Sequence, residues 1–225
     1  MSFWFKGSNP SFSLRRLACP RSESGAFWSF LQKQSSIKTL EFPAGGYSNR
    51  FVNTVPREIL PNLNALSGSV DELVIFSQLR PVSTITIIEP GVNFTVDNLV
   101  RVLNLAPLES ITFYETRAPI TLWTCFLRAS PGAFAKSLRM WTVVDRTEDE
   151  SFISFAPGGL SNFQALEEFR IVRFNRAKIV RFKAGTKGDP TQNVTEWLGE
   201  WSKPETWRSM IPSLRVVIIY GEHIL

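Results

Sequence analysis

Few side chains of this chain stand where they could do chemistry. The single histidine, His223, has no serine or cysteine spaced to make a nucleophile and base pair, and reads as a solvated imidazole. Glu148-Asp149-Glu150 gathers negative charge but lacks the spaced oxygen ligands and the glycine of a calcium loop, so it reads as a turn. Ala184-Gly185-Thr186-Lys187-Gly188 holds glycines and a lysine in an order that does not match a phosphate-cradling loop, and Ala156-Pro157-Gly158-Gly159 is a turn. The two cysteines, Cys19 and Cys125, are far apart and in no paired spacing, which predicts free thiols rather than a disulfide or a zinc knuckle. These patterns point away from an enzyme and predict no metal and no cofactor.

The densest charge feature is basic. Arg170, Arg173, Arg176, Lys178, Arg181, Lys183 and Lys187 are interleaved with Phe174 and Phe182. Arg173, Arg176, Lys178, Arg181 and Lys183 could grip phosphates while the two rings stack on bases, which would make residues 170–187 an anion or nucleic-acid site. The same residues fit a second reading. Ile171 to Lys183 repeats one four-residue word around Asn175 to Lys178, and a hairpin built from it places Arg outward and Ile, Val or Phe inward. The second reading is the favoured one. A net charge of +5 permits acidic partners but is also ordinary for a dissolved protein.

The elements that must position any site come from one recurring phrase: an apolar residue, two spacers, a second, one spacer, a third. It occurs at Ile37/Leu40/Phe42, Leu63/Leu66/Gly68, Val82/Ile85/Ile87, Leu108/Ile111/Phe113, Leu138/Trp141/Val143, Leu166/Phe169/Ile171 and Leu214/Val217/Ile219. The intervals, about 19 to 30 residues before a longer last one, bracket the leucine-rich period. Helical spacing lies between the phrases: Thr95 to Leu105, a stretch led by Asn193 with Val194, Trp197, Leu198 and Trp201, another with Phe27, Phe30 and Leu31, and a fourth with Leu122, Trp123, Phe126 and Leu127 that holds Cys125 as a core thiol. Alternating strand and helix predicts an α/β fold, a leucine-rich-repeat-like solenoid with a curved parallel sheet of about seven strands and helices on its convex side. The asparagine expected after each phrase is absent, so the turns must be built differently.

Residues 1–24 read as an N-terminal arm whose Phe3, Trp4 and Phe5 staple onto the repeats, and residues 25–225 as one repeat domain with an insertion near 175–206. Alternation places Thr39, Glu41, Ala65, Ser67, Thr84, Thr86, Ser110, Thr112, Tyr114, Met140, Thr142, Glu168, Arg170, Val216, Ile218 and Tyr220 on the open strand face. Tyr114, Thr142, Glu168, Arg170 and Tyr220 are the candidate protein-binding residues, and the apolar last strand predicts a covering segment or partner. The longest purely apolar run, Val216 to Tyr220, is too short to span a bilayer, and the first residues lack the pattern of a secretory signal. An intracellular location, cytoplasmic or nuclear, is expected, and the acceptor patterns at Asn93 and Asn193 are set aside on that ground.

The words LPNLNALSG at Leu60 to Gly68, RPVSTITII at Arg80 to Ile88 and SMIPSLRVVIIYGE at Ser209 to Glu222 resemble the C-terminal repeats of the fungal, basidiomycete-type F-box and leucine-rich-repeat-like proteins. The resemblance covers most of the chain after about residue 26. It implies the substrate-recognition module of an SCF-type ubiquitin ligase, whose F-box docks on the ligase core while the repeats hold a target. Val55-Pro56-Arg57-Glu58-Ile59 imitates the opening of an F-box, but Pro61 falls where its first helix should continue, so no F-box is recognised. The expectation is a non-enzymatic protein-interaction module, with a ligase core and its target as partners and nucleic acid as the alternative.

Overall fold

The apolar phrases become strands because their second and third members lie two residues apart, and in extended backbone such positions share a face. The structure, a computed structural model, describes residues 13–22, 24–43, 55–56, 58–88, 96–104, 107–116, 134–145, 160–173 and 198–225. In chain order the elements are β1 (Arg16–Ala18), α1 (Gly25–Gln32), β2 (Thr39–Glu41), β3 (Ala65–Gly68), α2 (Val70–Ser77), β4 (Thr84–Ile88), α3 (Val96–Asn104), β5 (Ser110–Thr116), α4 (Phe134–Ser137), β6 (Met140–Asp145) and β7 (Glu168–Arg173). A 3-10 turn (Gly199–Ser202), α5 (Pro204–Met210), β8 (Val216–Ile219) and β9 (Glu222–His223) follow. The strands form one α/β sheet in sequential order, parallel from β1 to β8 and antiparallel between β8 and β9.

Register follows the phrases. Leu17, Leu40, Leu66, Ile85, Ile111, Trp141, Phe169 and Val217 stand opposite one another across eight strands. All of these except the half-buried Leu17 are buried. Gly68, Ile87, Phe113, Val143, Ile171 and Ile219 make the next row. The start of each strand is fixed by a shared acceptor. The carbonyl of Arg15 takes the N–H groups of both Lys38 and Thr39, and those of Lys38, Asn64, Ser83, Glu109, Arg139 and Glu167 each take two successive N–H groups from the next strand, at 2.8 to 3.2 Å. A second tie recurs one residue before the phrase: Ser36, Ser137 and Ser213 donate from Oγ to the carbonyls of Leu14, Leu108 and Leu166, each at 2.8 Å.

Helices cover the apolar rows. Ser24 caps α1 by accepting from Phe27 N–H, and Phe27 and Leu31 are buried. Around α2, Ser69 and Glu72 form a reciprocal capping box, and Phe76 packs on Phe42 of the β2 phrase with ring centroids 5.0 Å apart. Further along, Phe113, Trp141, Phe169 and Trp207 of α5 make a chain of ring contacts at 6.0, 5.3 and 5.9 Å. The third member of the β3 phrase is Gly68 because α2 sits directly over it: a Cβ there would lie 2.6 Å from Glu72 Oε2 and 3.3 Å from Phe42.

All seven expected strands occur, as β2 to β8. β1 adds an eighth inside the segment read as an arm, where Leu14, Leu17 and Cys19 carry the same phrase. The arm reading is corrected there: Arg16–Ala18 is sheet, because its apolar residues join the rows even though Arg and Ser surround them. β9 is a second addition. Tyr220 and Gly221 have φ of 51° and 98°, the left-handed pair a tight two-residue hairpin requires. The chain folds back so that Ile224 N–H donates to Val217 at 2.9 Å and protects the β8 edge. The helix expected from Thr95 to Leu105 is α3; of the stretch led by Asn193, the described residues include the 3-10 turn from Gly199. The stretch around Leu122 to Leu127, with Cys125, lies outside the described residues, as do Phe3 to Phe5.

Two substitutions test this packing. Phe169→Ala empties the middle of the aromatic chain and should lower unfolding free energy by about 3–5 kcal/mol in a urea titration. Gly68→Ala forces the capped Glu72 away from Ser69 and should lose about 1–3 kcal/mol.

Candidate interaction surface

Opposite the covered face, the alternate residues of each strand keep partial exposure, and register arranges them in rows. One row runs Arg16, Thr39, Ala65, Thr84, Ser110, Met140, Glu168 and Val216. The next runs Ala18, Glu41, Ser67, Thr86, Thr112, Thr142, Arg170 and Ile218. Four hydroxyls on adjacent strands, Ser67 to Thr142, therefore form a continuous ladder of groups that both donate and accept. Ion pairs flank it. Arg16 Nη2 lies 2.7 Å from Glu41 Oε1 at the β1 end, and Arg170 Nε pairs with Glu168 Oε1 on β7. Partly exposed pairs of this kind add little stability, but they hold their charged groups in fixed positions on the open face.

Of the candidate residues, Thr142, Glu168 and Arg170 come together on β6 and β7, where Thr142 faces Arg170 and Met140 faces Glu168. Tyr114 stands on β5, across from Ile88, and is 38% exposed. Tyr220 departs from the expectation. It follows the last residue of β8, in the hairpin turn, with its N–H donated to Ile171 at 2.7 Å, because the chain must reverse there. Val216 and Ile218 do lie on the open face, and β9 covers their strand's edge, not that face. Arg173 is the last residue of β7, whereas Arg176, Lys178, Arg181 and Lys183 lie outside the described residues. Arg16, at the far end of the same face, escaped the sequence reading with the rest of β1.

A second polar concentration lies where β1 and β3 end. Burial, then the charge of Glu72, pushes the Cys19 thiol up to about 11. Glu72 itself is raised by burial against the opposing effect of its Ser69 hydrogen bonds at 2.8 and 3.0 Å, and Asp71 is raised by burial. A thiol held this way is protonated at neutral pH and makes a poor nucleophile. His223 is exposed on β9. Among the described residues no three His, Cys, Asp or Glu side chains gather to hold a metal, and no helix is long and apolar enough to cross a membrane.

No family model, curated protein or solved structure matches this chain.

The thiol gives a direct check. At pH 8, Cys19 should alkylate roughly 100-fold more slowly than an ordinary thiol, followed by peptide mapping, with the rate climbing until about pH 11. A fast reaction at pH 8 would contradict its burial.

Proposed function

We propose that this chain is a non-enzymatic protein-binding module, a solenoid of degenerate leucine-rich-like repeats that holds its partner on the open strand face. Helices are wider than strands, so a sheet carrying them on one face bends with the strands inside, and the hydroxyl ladder then lines a concave surface. The observation that carries this reading is the unbroken row from Glu41 through Ser67, Thr86, Thr112 and Thr142 to Arg170, all in register on one face. Short hydroxyls let a partner's backbone approach closely, while Tyr114, Glu168 and Arg170 supply ring and charge contacts of the kind that dominate interfaces. Substrate recognition for a ubiquitin ligase, inside the cell, is the role that the resemblance of LPNLNALSG, RPVSTITII and SMIPSLRVVIIYGE supports.

The test compares proteins recovered quantitatively with the tagged wild-type chain, with Thr142→Arg/Arg170→Glu, and with Arg173→Glu. Both variants should keep the wild-type melting temperature, since Thr142 and Arg170 lie on the open face and Arg173 is the last residue of its strand. At least one protein should fall about tenfold or more with the double variant and persist with Arg173→Glu. Equal recovery from all three, together with RNA or DNA retention that weakens steeply between about 50 and 200 mM salt and is lost on Arg173→Glu, would replace this reading with phosphate binding.

A further inference from the structure

The residues that supply the shared acceptors at the strand starts form a row of their own, one position ahead of Arg16, Thr39 and their register partners. From β1 to β8 each is joined to the next by a backbone bond of 2.8 or 2.9 Å, so successive side chains leave this margin of the sheet one interstrand step apart, about 4.8 Å. What the row carries changes along it. Arg15 and Lys38 are like charges, and Asn64 satisfies Ser83 by donating from Nδ2 to its Oγ at 3.1 Å. The last four, Glu109, Arg139, Glu167 and Arg215, stand at the starts of β5, β6, β7 and β8 and alternate in sign.

Opposite charges this close can pair within the chain, as Arg170 and Glu168 do on β7. These four do not: among the described residues no ion pair joins any two of them. Glu109, Arg139 and Arg215 are exposed and Glu167 is half-buried, so their charges are open to a second molecule. Met140, the residue after Arg139, is 40% exposed and leaves an apolar chain in water at the middle of the strip. The order of the signs is the informative feature. Turned end for end, minus-plus-minus-plus becomes plus-minus-plus-minus, so the strip is its own complement. A two-fold axis between β6 and β7 sets Glu109 against the second copy's Arg215 and Arg139 against the second copy's Glu167, and each contact recurs reciprocally.

We propose that the strand-start margin of β5 to β8 is the contact surface of a two-fold homodimer, in which Glu109, Arg139, Glu167 and Arg215 of each copy pair with the same strip of the other. Other occupants fit less well. A nucleic acid, an anionic bilayer or an acidic peptide would meet Glu109 and Glu167 between the cations. The strip spans three interstrand steps, about 14 Å, which is short for a stable interface, so the dimer is a transient one that forms at high concentration. Met140 lies beside the axis, where pairing removes part of its apolar surface from water. Thr142 of the hydroxyl ladder is three residues beyond Arg139, about 10 Å along the strand, so the dimer leaves that ladder open and stands or falls separately from partner binding there.

The test is sedimentation of the full chain at about 100 mM salt, where a screening length of about 10 Å removes most of the repulsion between two chains of net charge +5 but spares charges in contact. The wild type should dimerise with a Kd below about 1 mM. Arg139→Glu sets carboxylate against carboxylate twice per dimer, Glu167→Arg sets cation against cation twice, and each should raise the Kd about tenfold or more. Both should keep the wild-type melting temperature, because the register bonds at these positions are made by backbone. An equimolar mixture of the two variants restores every opposed pair and should return to within about threefold of the wild-type Kd, a rescue that pairing within one chain cannot give. Arg215→Glu mixed with Glu109→Arg makes the same exchange at the outer contacts and serves if either inner variant fails to fold. A wild type that stays monomeric at about 1 mM, dimers that both single substitutions leave unchanged, or mixtures no tighter than the variants alone would overturn the proposal.

Discussion

One backbone arrangement holds the sheet in register. At the start of each strand from β2 to β8, a carbonyl of the preceding strand accepts two successive N–H groups from the incoming one. The acceptors Arg15, Lys38, Asn64, Ser83, Glu109, Arg139 and Glu167 are spacers of the phrases and not their apolar members, so the bonds fix register without asking anything of the core. A slip of one residue would turn every apolar side chain to the open face, and repeating the same bond pair seven times makes that slip costly everywhere. The serine ties to Leu14, Leu108 and Leu166 reinforce the same alignment one residue upstream.

From this alignment the two faces acquire different characters. The covered face is filled by two register rows of apolar residues, and the rings of Phe113, Trp141 and Phe169 run on to Trp207, so each strand's core depends on its neighbours on both sides. The open face is free to vary, and it does, from the Arg16–Glu41 pair through hydroxyls to Glu168–Arg170 and the apolar β8. The ends also differ. β9 closes the C-terminal edge, whereas at β1 the apolar row ends on a half-buried Leu17.

Much of this was legible in the sequence because strand alternation and the three-residue approach to each strand both leave a spacing signature. Seven phrases gave seven strands, and alternation alone assigned Thr142, Glu168 and Arg170 to one face. β1 was hidden because its phrase, Leu14, Leu17 and Cys19, sits among arginines and serines that dilute its hydropathy. α2 was hidden because it buries residues nearly all around, which erases helical periodicity; its Ser69 and Glu72 capping box was the available signal. Tyr220 was misplaced because alternation cannot tell where a strand stops, and the following Gly221 was the cue to a turn. The burial of Arg80 beside an exposed Leu79 leaves no periodic trace, since both precede the phrase and only coordinates say which is buried.

The sequential parallel order is the claim on which the rest stands, and distances between spin labels along one open-face row measure it directly. With one label at Thr39 and the second moved in turn to Ser110, Met140, Glu168 and Val216, pulsed electron paramagnetic resonance should give distances that lengthen at each step, by up to about 4.8 Å per strand. A second label on a later strand that lies closer to Thr39 than one on an earlier strand would contradict the order, and with it both the shared register and the continuous open face.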